Sequence, residues 1–348
     1  MENSVMKQLP LRLLPWYREH RRQLPWRQSR EPYHIWLSEI MLQQTRVEAV
    51  KGYYQRFLGA LPTVEALAQA DDELLHKLWE GLGYYSRVRN LKKAACQIVE
   101  LQGGRFPAEY AQILALPGIG EYTAGAICSI AFDQPRAAVD GNVLRVITRL
   151  TADPTPVDSP ELKRRVREGL EAVYPKEAGE FTQALMELGA TLCGPNWKPR
   201  CDECPCQDLC AGHLHGTAEQ FPVKKPKAKR REEERTVFIL SCDGRYALEK
   251  RPQKGLLAGL YQFPNCLGSL EPEQALSYLE AQGLHPKDLK LQLQRQHIFT
   301  HIRWDMRGYF IEVAAPEGDY LWLTSEEIES KAALPTAFRQ FWEERNHV

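Results

Sequence analysis

Apolar residues recur every three or four positions through most of the first 212 residues, a spacing typical of α-helices with one buried side. The pattern predicts one long helix from His34 to Leu58 and another from Arg87 to Leu101, which ends before two glycines. Gly or Pro separates the other helical segments, which are 62–83 (two helices with a break), 107–116, 121–132, 142–150 and 161–174. No convincing strand occurs here, so we expect an all-α domain over residues 1–218.

The pattern changes after the charged segment PVKKPKAKRREEER, which spans residues 222–235. It has no large apolar residue from Lys224 onward, and we interpret 219–235 as a solvated linker. Beyond it, short segments rich in β-branched and aromatic residues predict strands at 236–242, 246–251, 261–266 and 307–315. Helices are expected at 271–284 and after Pro335. Residues 236–348 are therefore predicted to form an α+β domain, and the protein as a whole is multidomain.

Composition narrows the class of protein. The 348 residues are 43% hydrophobic, enough for two packed cores, and no apolar run reaches the roughly 20 residues that span a bilayer. The N-terminus lacks the pattern of a signal peptide, so we expect a cytoplasmic protein in which thiols stay reduced. Lys and Arg number 45, as do Asp and Glu, so net charge gives no sign of a nucleic-acid partner. Any DNA contact must come from local patches and backbone amides.

One hairpin has the features of a phosphate site. The sequence LPGIGEYTAGAI joins two predicted helices, and its Gly118 and Gly120 permit positive φ and close approach of another backbone. Free amides and the positive end of the following helix dipole favour an anion there. A helix-hairpin-helix binds a DNA phosphate in this way, while the alternative is an ordinary turn with a glycine cap.

Two carboxylates are candidates for acid and base work. Glu39 lies in IWLSEIMLQQT, among apolar residues whose environment would raise the pKa of its carboxyl, although a position on the polar side of the helix is equally compatible. Asp140, in AVDGNVLRV, precedes a helix and is a good N-cap, a role that is compatible with catalysis. Cleavage of a glycosidic bond uses one carboxyl as an acid and a second, ionised one to stabilise the oxocarbenium-like centre.

Taken together, SEIMLQQTRV, WEGLGYYSRVRNL, LPGIGEYTAGAI, AVDGNVLRV and MELGATLC resemble the adenine DNA glycosylases of the MutY type, in the right order and over nearly the whole chain. This branch of the helix-hairpin-helix superfamily removes adenine mispaired with 8-oxoguanine. The resemblance implies a base excision repair enzyme whose partner is double-stranded DNA with A·8-oxoguanine or A·G mispairs. It also implies a monomer in the bacterial cytoplasm, associated with the nucleoid and not with membranes, and it names no protein partner.

The resemblance also implies particular roles. Glu39 would protonate adenine N7 and Asp140 would stabilise the oxocarbenium ion, with Tyr122 close to the reacting sugar. The other implied contacts are Arg22, Trp26, Arg27 and Glu187 in the adenine pocket, Gln44 and Tyr84 wedged into the base stack, and Thr45 against 8-oxoguanine. For Tyr84 core packing is the alternative. Endonuclease III-like enzymes carry a lysine where this chain has Tyr122, and that amine forms the Schiff base needed for strand cleavage. We therefore expect a monofunctional glycosylase.

The C-terminal part resembles the Nudix-like domain of the same family. A working Nudix hydrolase has an arginine and several glutamates on its metal-binding helix, where this chain carries Leu276, Ser277 and Ala281 and keeps Glu280. One carboxylate holds Mg²⁺ poorly, so we expect binding rather than hydrolysis. The family's recognition loop for 8-oxoguanine corresponds to Phe299, Thr300 and His301, and for His301 a purely structural role is the alternative. A nucleotide-pool hydrolase and a catalytically inactive DNA-binding protein are the competing hypotheses.

Five of the nine cysteines fall within CGPNWKPRCDECPCQDLC, residues 193–210. In a reduced compartment such a cluster indicates a metal site rather than disulfides. The spacing resembles the loop that binds a 4Fe-4S cluster in this family, which implies Cys193, Cys201, Cys204 and Cys210 as ligands. The chain departs from the pattern in one respect, since seven residues rather than six separate Cys193 from Cys201. Cys206 falls outside the pattern and is expected to bind no iron.

Overall fold

The computed structural model describes residues 2–195, 197–225 and 229–347, with backbone only for residues 2 and 3. The chain divides into two compact units. The first comprises Met1–Gln69 and Asn90–Lys227, and the second comprises Ala70–Arg89 and Ala228–Val348. The segment Ala70–Arg89 lies inside the range 1–218 that the apolar pattern assigns to the helical domain, yet it groups with the C-terminal unit.

Helices make up all the regular structure of the described residues before Arg231. They are α1 (Glu2–His20), α2 (Pro32–Leu42), α3 (Val47–Ala60), α4 (Val64–Gln69), α5 (Asp72–Leu78), α6 (Ser86–Gln102), α7 (Tyr110–Leu114), α8 (Glu121–Phe132), α9 (Gly141–Thr151), α10 (Pro160–Glu171), α11 (Ala178–Thr191) and α12 (Ala211–Leu214). Short 3₁₀ turns occur at Pro25–Arg27, Cys201–Glu203, Gln207–Leu209 and Ala218–Gln220. None of the described helices is both long and apolar enough to cross a membrane.

The single helix predicted from His34 to Leu58 is wrong, because the chain leaves the helical conformation after Leu42 and α3 begins at Val47. Gln44 adopts a left-handed conformation, with φ of 57°, inside this interruption. Glutamine and threonine are tolerated in helices, so the residue types alone do not reveal the break. The interruption has a consequence for the site, since it turns Gln44 and Thr45 towards the cavity described below.

The core of the first unit lies where α11 packs against α1, α8 and α9. Its fully buried members include Leu9 and Leu13 from α1, Ile147 from α9, and Phe181 and Leu185 from α11. Burial of several such side chains, each stabilising by about 1.5–3 kcal/mol, fixes the relative positions of the helices that carry the site.

The second unit contains a mixed seven-stranded sheet, in which the order is β3-β2-β1-β6-β5 while β4 pairs with β1 and β7 with β2. The strands are β1 (Arg231–Cys242), β2 (Arg245–Lys250), β3 (Tyr261–Gln262), β4 (Asn265–Leu267), β5 (Pro286–Ile298), β6 (Ile302–Val313) and β7 (Leu321–Thr324). The helices are α13 (Pro272–Ala281), α14 (Ser325–Lys331) and α15 (Thr336–Trp342), followed by a 3₁₀ turn at Glu343–His347. Alternate residues of β1 point to two cores, one containing α15 and the other α13. The predicted α+β architecture is confirmed.

Strand β1 begins at Arg231, within the segment 219–235 that we predicted to be a linker. Its first residues pair in parallel register with β6, and ion pairs join Arg231 to Glu233 at 2.8 Å and Arg303 to Glu232 at 3.2 Å. Alternating opposite charges thus suit an exposed strand as well as a linker. Near the N-terminal end of the predicted linker, Val157 N donates to Val223 O at 2.9 Å, within the helical unit. Residues 226–228 of the predicted linker lie outside the described residues.

Candidate active site

A cavity of about 790 Å³ in the helical unit brings together most of the predicted site residues. Those that line it are Arg22, Trp26, Arg27, Glu39, Gln44, Thr45, Tyr122, Asp140 and Glu187. They come from three α-helices, one 3₁₀ turn and three connecting segments that are distant in sequence. Only the folded core places them around one space large enough for a purine base.

Glu39 lies on α2 with 5% of its surface exposed, so of the two predicted alternatives the buried position is the correct one. Burial raises the pKa of its carboxyl to about 7, the nearby charge of Asp140 adds to this, and the Tyr122 hydrogen bond opposes it. That bond is short, with Tyr122 Oη donating to Glu39 Oε2 at 2.5 Å. Burial together with the neighbouring Glu39 raises the pKa of Tyr122, which keeps the phenol as a donor. Glu39 is therefore a carboxyl that can hold a proton at neutral pH.

Asp140 caps the N-terminus of α9, as predicted from its position before a helix. Its Oδ1 accepts from Val143 N at 2.8 Å and its Oδ2 accepts from Asn142 Nδ2 at 2.7 Å. Burial raises the pKa of Asp140, while these hydrogen bonds act in the opposite direction. The cap and the helix dipole favour the ionised form, so Asp140 and Glu39 have different environments within one cavity.

The hydrogen bonds around Asp140 continue to the cysteine loop through residues that the sequence reasoning missed. Arg145 Nη2 donates to Asn142 Oδ1 at 2.9 Å, and its Nε donates to the carbonyl of Cys193 at 2.8 Å. Asn142 is thereby held in the orientation in which its amide donates to Asp140. The spacing of three between Asn142 and Arg145 in AVDGNVLRV is compatible with a contact between these two side chains, but it gives no sign of the contact between Asn142 and Asp140.

Glu187 is fully buried on α11 and is neutralised by two arginines. Arg22 donates from Nε and Nη2 at 2.7 and 3.0 Å, and Arg27 donates from Nη2 at 2.7 Å. Burial alone would raise the pKa of Glu187, but the hydrogen bonds from Arg22 and Arg27 lower it overall. The carboxylate thus fixes the two guanidinium groups in the wall of the cavity, beside the largely buried Trp26.

Gly125, on α8 one turn after Tyr122, lies against the chain that leads to Asp140. A Cβ at this position would overlap the carbonyl of Ala137, and Ala138 N would lie 3.2 Å away. The missing side chain therefore lets α8 approach this extended stretch closely. The distance between α8, which carries Tyr122, and the stretch that leads to Asp140 depends on this contact.

The predicted hairpin also adopts the expected form at one of its two glycines. Gly118 has φ of 78°, and a Cβ there would come within 2.6 Å of the Cβ of Asn90. Gly120, by contrast, is an extended N-cap of α8 with φ of −101°, so it does not use positive φ. A Cβ on Gly120 would meet open space. The free amides at the start of α8 remain a suitable site for an anion.

The cysteine loop encloses a small cavity lined by Cys193, Cys201, Cys204 and Cys210. Among the described residues no three Cys, His, Asp or Glu side chains converge on a single metal ion. A 4Fe-4S cluster binds each thiolate through a different iron, so its ligands need only surround one space. Cys206 is fully buried in the helical core and does not line the cavity. The donor set therefore fits such a cluster.

The additional residue between Cys193 and Cys201 is accommodated in a closed loop. Arg200 N donates to Leu192 O at 3.0 Å and joins the two ends of the loop. Inside it, the ring of Trp197 covers Gly194, where no side chain would fit. Asn196, in the middle, lies outside the described residues. This hydrogen bond closes the loop at residues that directly adjoin Cys193 and Cys201.

The remaining predicted residues belong to the C-terminal unit. Tyr84 has φ of 48° and is 47% exposed, so core packing is not its role. Its hydroxyl lies 3.1 Å from Thr300 Oγ1. Phe299 is anchored, because its ring lies 4.8 Å from Trp304 and 4.5 Å from His297. His301 exposes its side chain, and its carbonyl accepts from Arg231 N at 3.0 Å.

Two family models match the chain in the order that the fold shows. The HhH-GPD superfamily base excision DNA repair protein model matches residues 37–172, and the NUDIX domain model matches residues 235–344. Among curated proteins, the adenine DNA glycosylase of Rattus norvegicus is 36% identical over 96% of this chain and 78% of its own length. The chain belongs to the adenine DNA glycosylase family.

Other relatives agree with this assignment. The adenine DNA glycosylase of Homo sapiens is 35% identical over 94% of this chain and 72% of its own length. That of Buchnera aphidicola subsp. Baizongia pistaciae is 32% identical over 83% of this chain and 82% of its own. The resemblance stated from the sequence motifs is confirmed, and the protein is a DNA glycosylase.

Solved structures support the fold of the helical part. A thermostable thymine-DNA glycosylase superposes with a TM-score of 0.56 and 30% identity, covering 61% of this chain and 98% of its own. A non-covalent endonuclease III–DNA complex superposes with a TM-score of 0.53 and 22% identity, and the match covers 62% of this chain and 98% of that chain. The second likeness concerns the fold alone. The helical part thus shares its fold with a thymine-DNA glycosylase, and the fold by itself does not decide which base is removed.

Proposed function

We propose that this protein hydrolyses the N-glycosidic bond of adenine mispaired with 8-oxoguanine or guanine in duplex DNA. The observation that carries the proposal is the pair of carboxyl groups in one cavity. Glu39 is buried with a pKa raised to about 7, and Asp140 is capped by backbone and amide donors. A base in duplex DNA lies inside the stack, so adenine must be flipped into the cavity before Glu39 can reach it.

In the proposed mechanism Glu39 donates its proton to adenine N7 and thereby makes the base a better leaving group. Asp140, ionised, stabilises the positive charge that develops on the sugar, and a transient covalent adduct is compatible with its position. Tyr122 holds Glu39 by the 2.5 Å hydrogen bond and would lie close to the reacting sugar. After the base leaves, Glu39 is ionised and helps to activate the attacking water.

The walls of the cavity suit a purine. We assign Arg22, Arg27 and Glu187 to its polar side, where the three side chains are already paired with each other. Trp26 supplies an aromatic wall that is held by an edge contact with Tyr54, with ring centroids 5.6 Å apart. Because these groups are fixed before substrate binds, little reorganisation is needed when adenine enters.

The mispaired base would be recognised by a second group of residues. Gln44 and Thr45 lie in the interruption between α2 and α3 and line the cavity. In the C-terminal unit, the exposed Tyr84 and the loop 299–301 are the proposed contacts of 8-oxoguanine and its neighbours in the stack. The DNA backbone would be bound at the hairpin that contains Gly118 and Gly120, where the free amides at the start of α8 would contact a phosphate.

A glycosylase that also cuts the strand is the nearest alternative. It requires an amine that forms a Schiff base with the sugar. The described residues that line the cavity include no lysine, and Tyr122 occupies the place of the lysine that lyases carry. We therefore infer a monofunctional enzyme, for which borohydride treatment during turnover yields little covalent protein–DNA complex. Efficient trapping would favour the lyase instead.

We further propose that Cys193, Cys201, Cys204 and Cys210 hold a 4Fe-4S cluster. When bound, the cluster would supply iron–thiolate bonds that fix the loop 193–210 and would take no part in base removal. In that loop Lys198 is exposed, and Arg200 donates from Nη2 to Thr191 O at 2.8 Å. Both side chains are suited to contact with DNA phosphates.

The test is adenine release in single-turnover reactions on duplexes with A·8-oxoguanine, A·G and A·T pairs. We expect fast release from the first, slower release from the second and none from the third. Glu39→Gln should bind the A·8-oxoguanine duplex but release no adenine. If the folded wild type releases no adenine from any duplex, the proposed function is wrong. Release of pyrophosphate from 8-oxo-dGTP would support a nucleotide hydrolase instead.

A further inference from the structure

A largely buried carboxylate attaches the segment Ala70–Arg89 to the Nudix-like fold. Glu80 Oε1 accepts from Arg339 Nη2 at 2.5 Å, from Arg339 Nε at 3.0 Å and from Leu334 N at 3.0 Å. Its Oε2 accepts from Lys77 Nζ at 2.7 Å. The side chains of Glu80 and Arg339 are only 12% and 24% exposed, so the pair is shielded from solvent screening. Arg339 lies on α15, the helix that packs into one core of the sheet.

The chain between Glu80 and Tyr84 is a tight left-handed turn. Gly81, Gly83 and Tyr84 have φ of 92°, 70° and 48°. Trp79 Nε1 donates to Gly83 O at 3.1 Å, and Arg87 Nη2 donates to the same carbonyl at 3.1 Å. These bonds leave the turn little freedom, so a shift at Glu80 is passed on to Tyr84 rather than absorbed.

The far end of Tyr84 is held by the same unit. Its hydroxyl lies 3.1 Å from Thr300 Oγ1, in the loop between β5 and β6. On the other side of the turn, Arg89 Nη1 donates to Ala258 O at 2.8 Å. The backbone of Tyr84 is therefore held through Glu80 and Arg339, and its hydroxyl is held through Thr300. In the sequence, however, Tyr84 lies inside the range that matches the glycosylase family model.

We propose that Arg339 is a positioning residue for discrimination of the mispair. Its ion pair with Glu80 sets the position at which Tyr84 meets the DNA, and it thereby couples the Nudix-like fold to the preference for 8-oxoguanine over guanine opposite adenine. The inference rests on the proposed function, because it assigns the control of a recognition contact in that reaction. Preorganisation of this kind favours the correct duplex by reducing the ordering that binding requires.

The test compares Arg339→Met and Arg339→Lys with a matched control, Arg295→Met. Arg295 forms an ion pair of the same length, 2.5 Å to Glu344 Oε1, in the same unit. Neither residue of that pair belongs to the segment Ala70–Arg89. Single-turnover rates below saturation on A·8-oxoguanine and A·G duplexes give the preference, and rates at saturating enzyme give the rate of base removal. Amide hydrogen exchange of the free protein over residues 80–89 gives a readout that needs no activity.

Arg339→Met should lower the preference for A·8-oxoguanine about tenfold, equivalent to about 1.4 kcal/mol, and increase exchange over 80–89. The loss should appear in the preference rather than in the saturated rate. Arg339→Lys should retain part of the preference for A·8-oxoguanine, and Arg295→Met should resemble the wild type in both readouts. In a double-mutant cycle, Glu80→Gln combined with Arg339→Met should cost little more than either change alone.

Unchanged preference and exchange in folded Arg339→Met would overturn the inference, and so would an equal loss in Arg295→Met, which would indicate general destabilisation. If the wild type releases no adenine, the proposed function has failed. The exchange measurement then still decides whether Arg339 holds the turn.

Discussion

Replacing Glu39 by glutamine should make the protein more stable as well as inactive, and the gain should grow with pH. Burial raises the pKa of Glu39 to about 7 in the folded protein, against a usual value of 4.5. Between these two pH values the folded state keeps a proton that the unfolded chain has lost. Stability therefore falls as pH rises through this window, and the loss is complete above the folded pKa. At about 1.4 kcal/mol per pH unit, the full loss is about 3 kcal/mol.

Glutamine has nearly the same shape and can accept the Tyr122 hydrogen bond without carrying a proton. Its advantage over the wild type should thus be about 3 kcal/mol larger at pH 8 than at pH 4.5. Urea unfolding followed by circular dichroism at several pH values measures this difference. Glu48→Gln is a suitable control, because the Glu48 side chain is 77% exposed. If the free energies of unfolding of the wild type and Glu39→Gln changed in parallel over the whole pH range, the raised pKa of Glu39 would be refuted.

The same titration should appear in catalysis, where the single-turnover rate of the wild type falls as pH rises above about 7 because the proton on Glu39 is lost. Loss of a general acid costs about 10²–10⁴-fold in rate, so Glu39→Gln should lie at least about a hundredfold below the wild type at pH 7. A rate that rises steadily from pH 6 to pH 9 would contradict the assignment of Glu39 as the acid.

Other substitutions test the rest of the site. Asn142→Leu removes the 2.7 Å donor to Asp140 and should slow adenine release about 10- to 100-fold, equivalent to about 1–3 kcal/mol, while binding of the mispaired duplex is retained; an unchanged rate would show that this amide is not needed. Glu187→Gln leaves the partly exposed guanidinium groups of Arg22 and Arg27 without a carboxylate and should destabilise the helical unit by about 2–3 kcal/mol in urea unfolding, and a change below about 1 kcal/mol would contradict this. Cys201→Ser should lower the iron content per chain, whereas Cys206→Ser should keep it; equal iron content in both variants would exclude the proposed ligand set.

The helical periodicity and the β-rich composition predicted the two-part architecture because both features are local properties of the chain. The interruption between α2 and α3 escaped this reasoning, since the residues from Gln43 to Arg46 do not break helices by type. Strand β5 was also missed, although Leu289, Leu291 and Leu293 alternate with polar residues as in a strand with one solvated face. Its register is not given by the sequence, because this edge strand is positioned by its pairing with β6.

For the site, the sequence predicts candidate residues but not their burial or protonation. Glu39 was compatible with a surface or a buried position, and only the packing of α2 decides between them. The role of Asn142 was hidden because an amide beside an aspartate has no distinctive spacing. Likewise, the attachment of Glu80 to Arg339 joins residues 259 apart in sequence, and no local pattern predicts such a pair.

Gly125 has no functional group, yet the spacing of the site depends on it. A single methyl at this position would meet the carbonyl of Ala137, so α8 and the stretch that leads to Asp140 would have to separate. Displacements of about 1 Å are enough to lower enzymatic rates by about a hundredfold. A Gly125→Ala change would therefore disturb the spacing of the site while it keeps every acid, base and ligand residue. A mutation survey that scores chemistry alone would classify it as harmless.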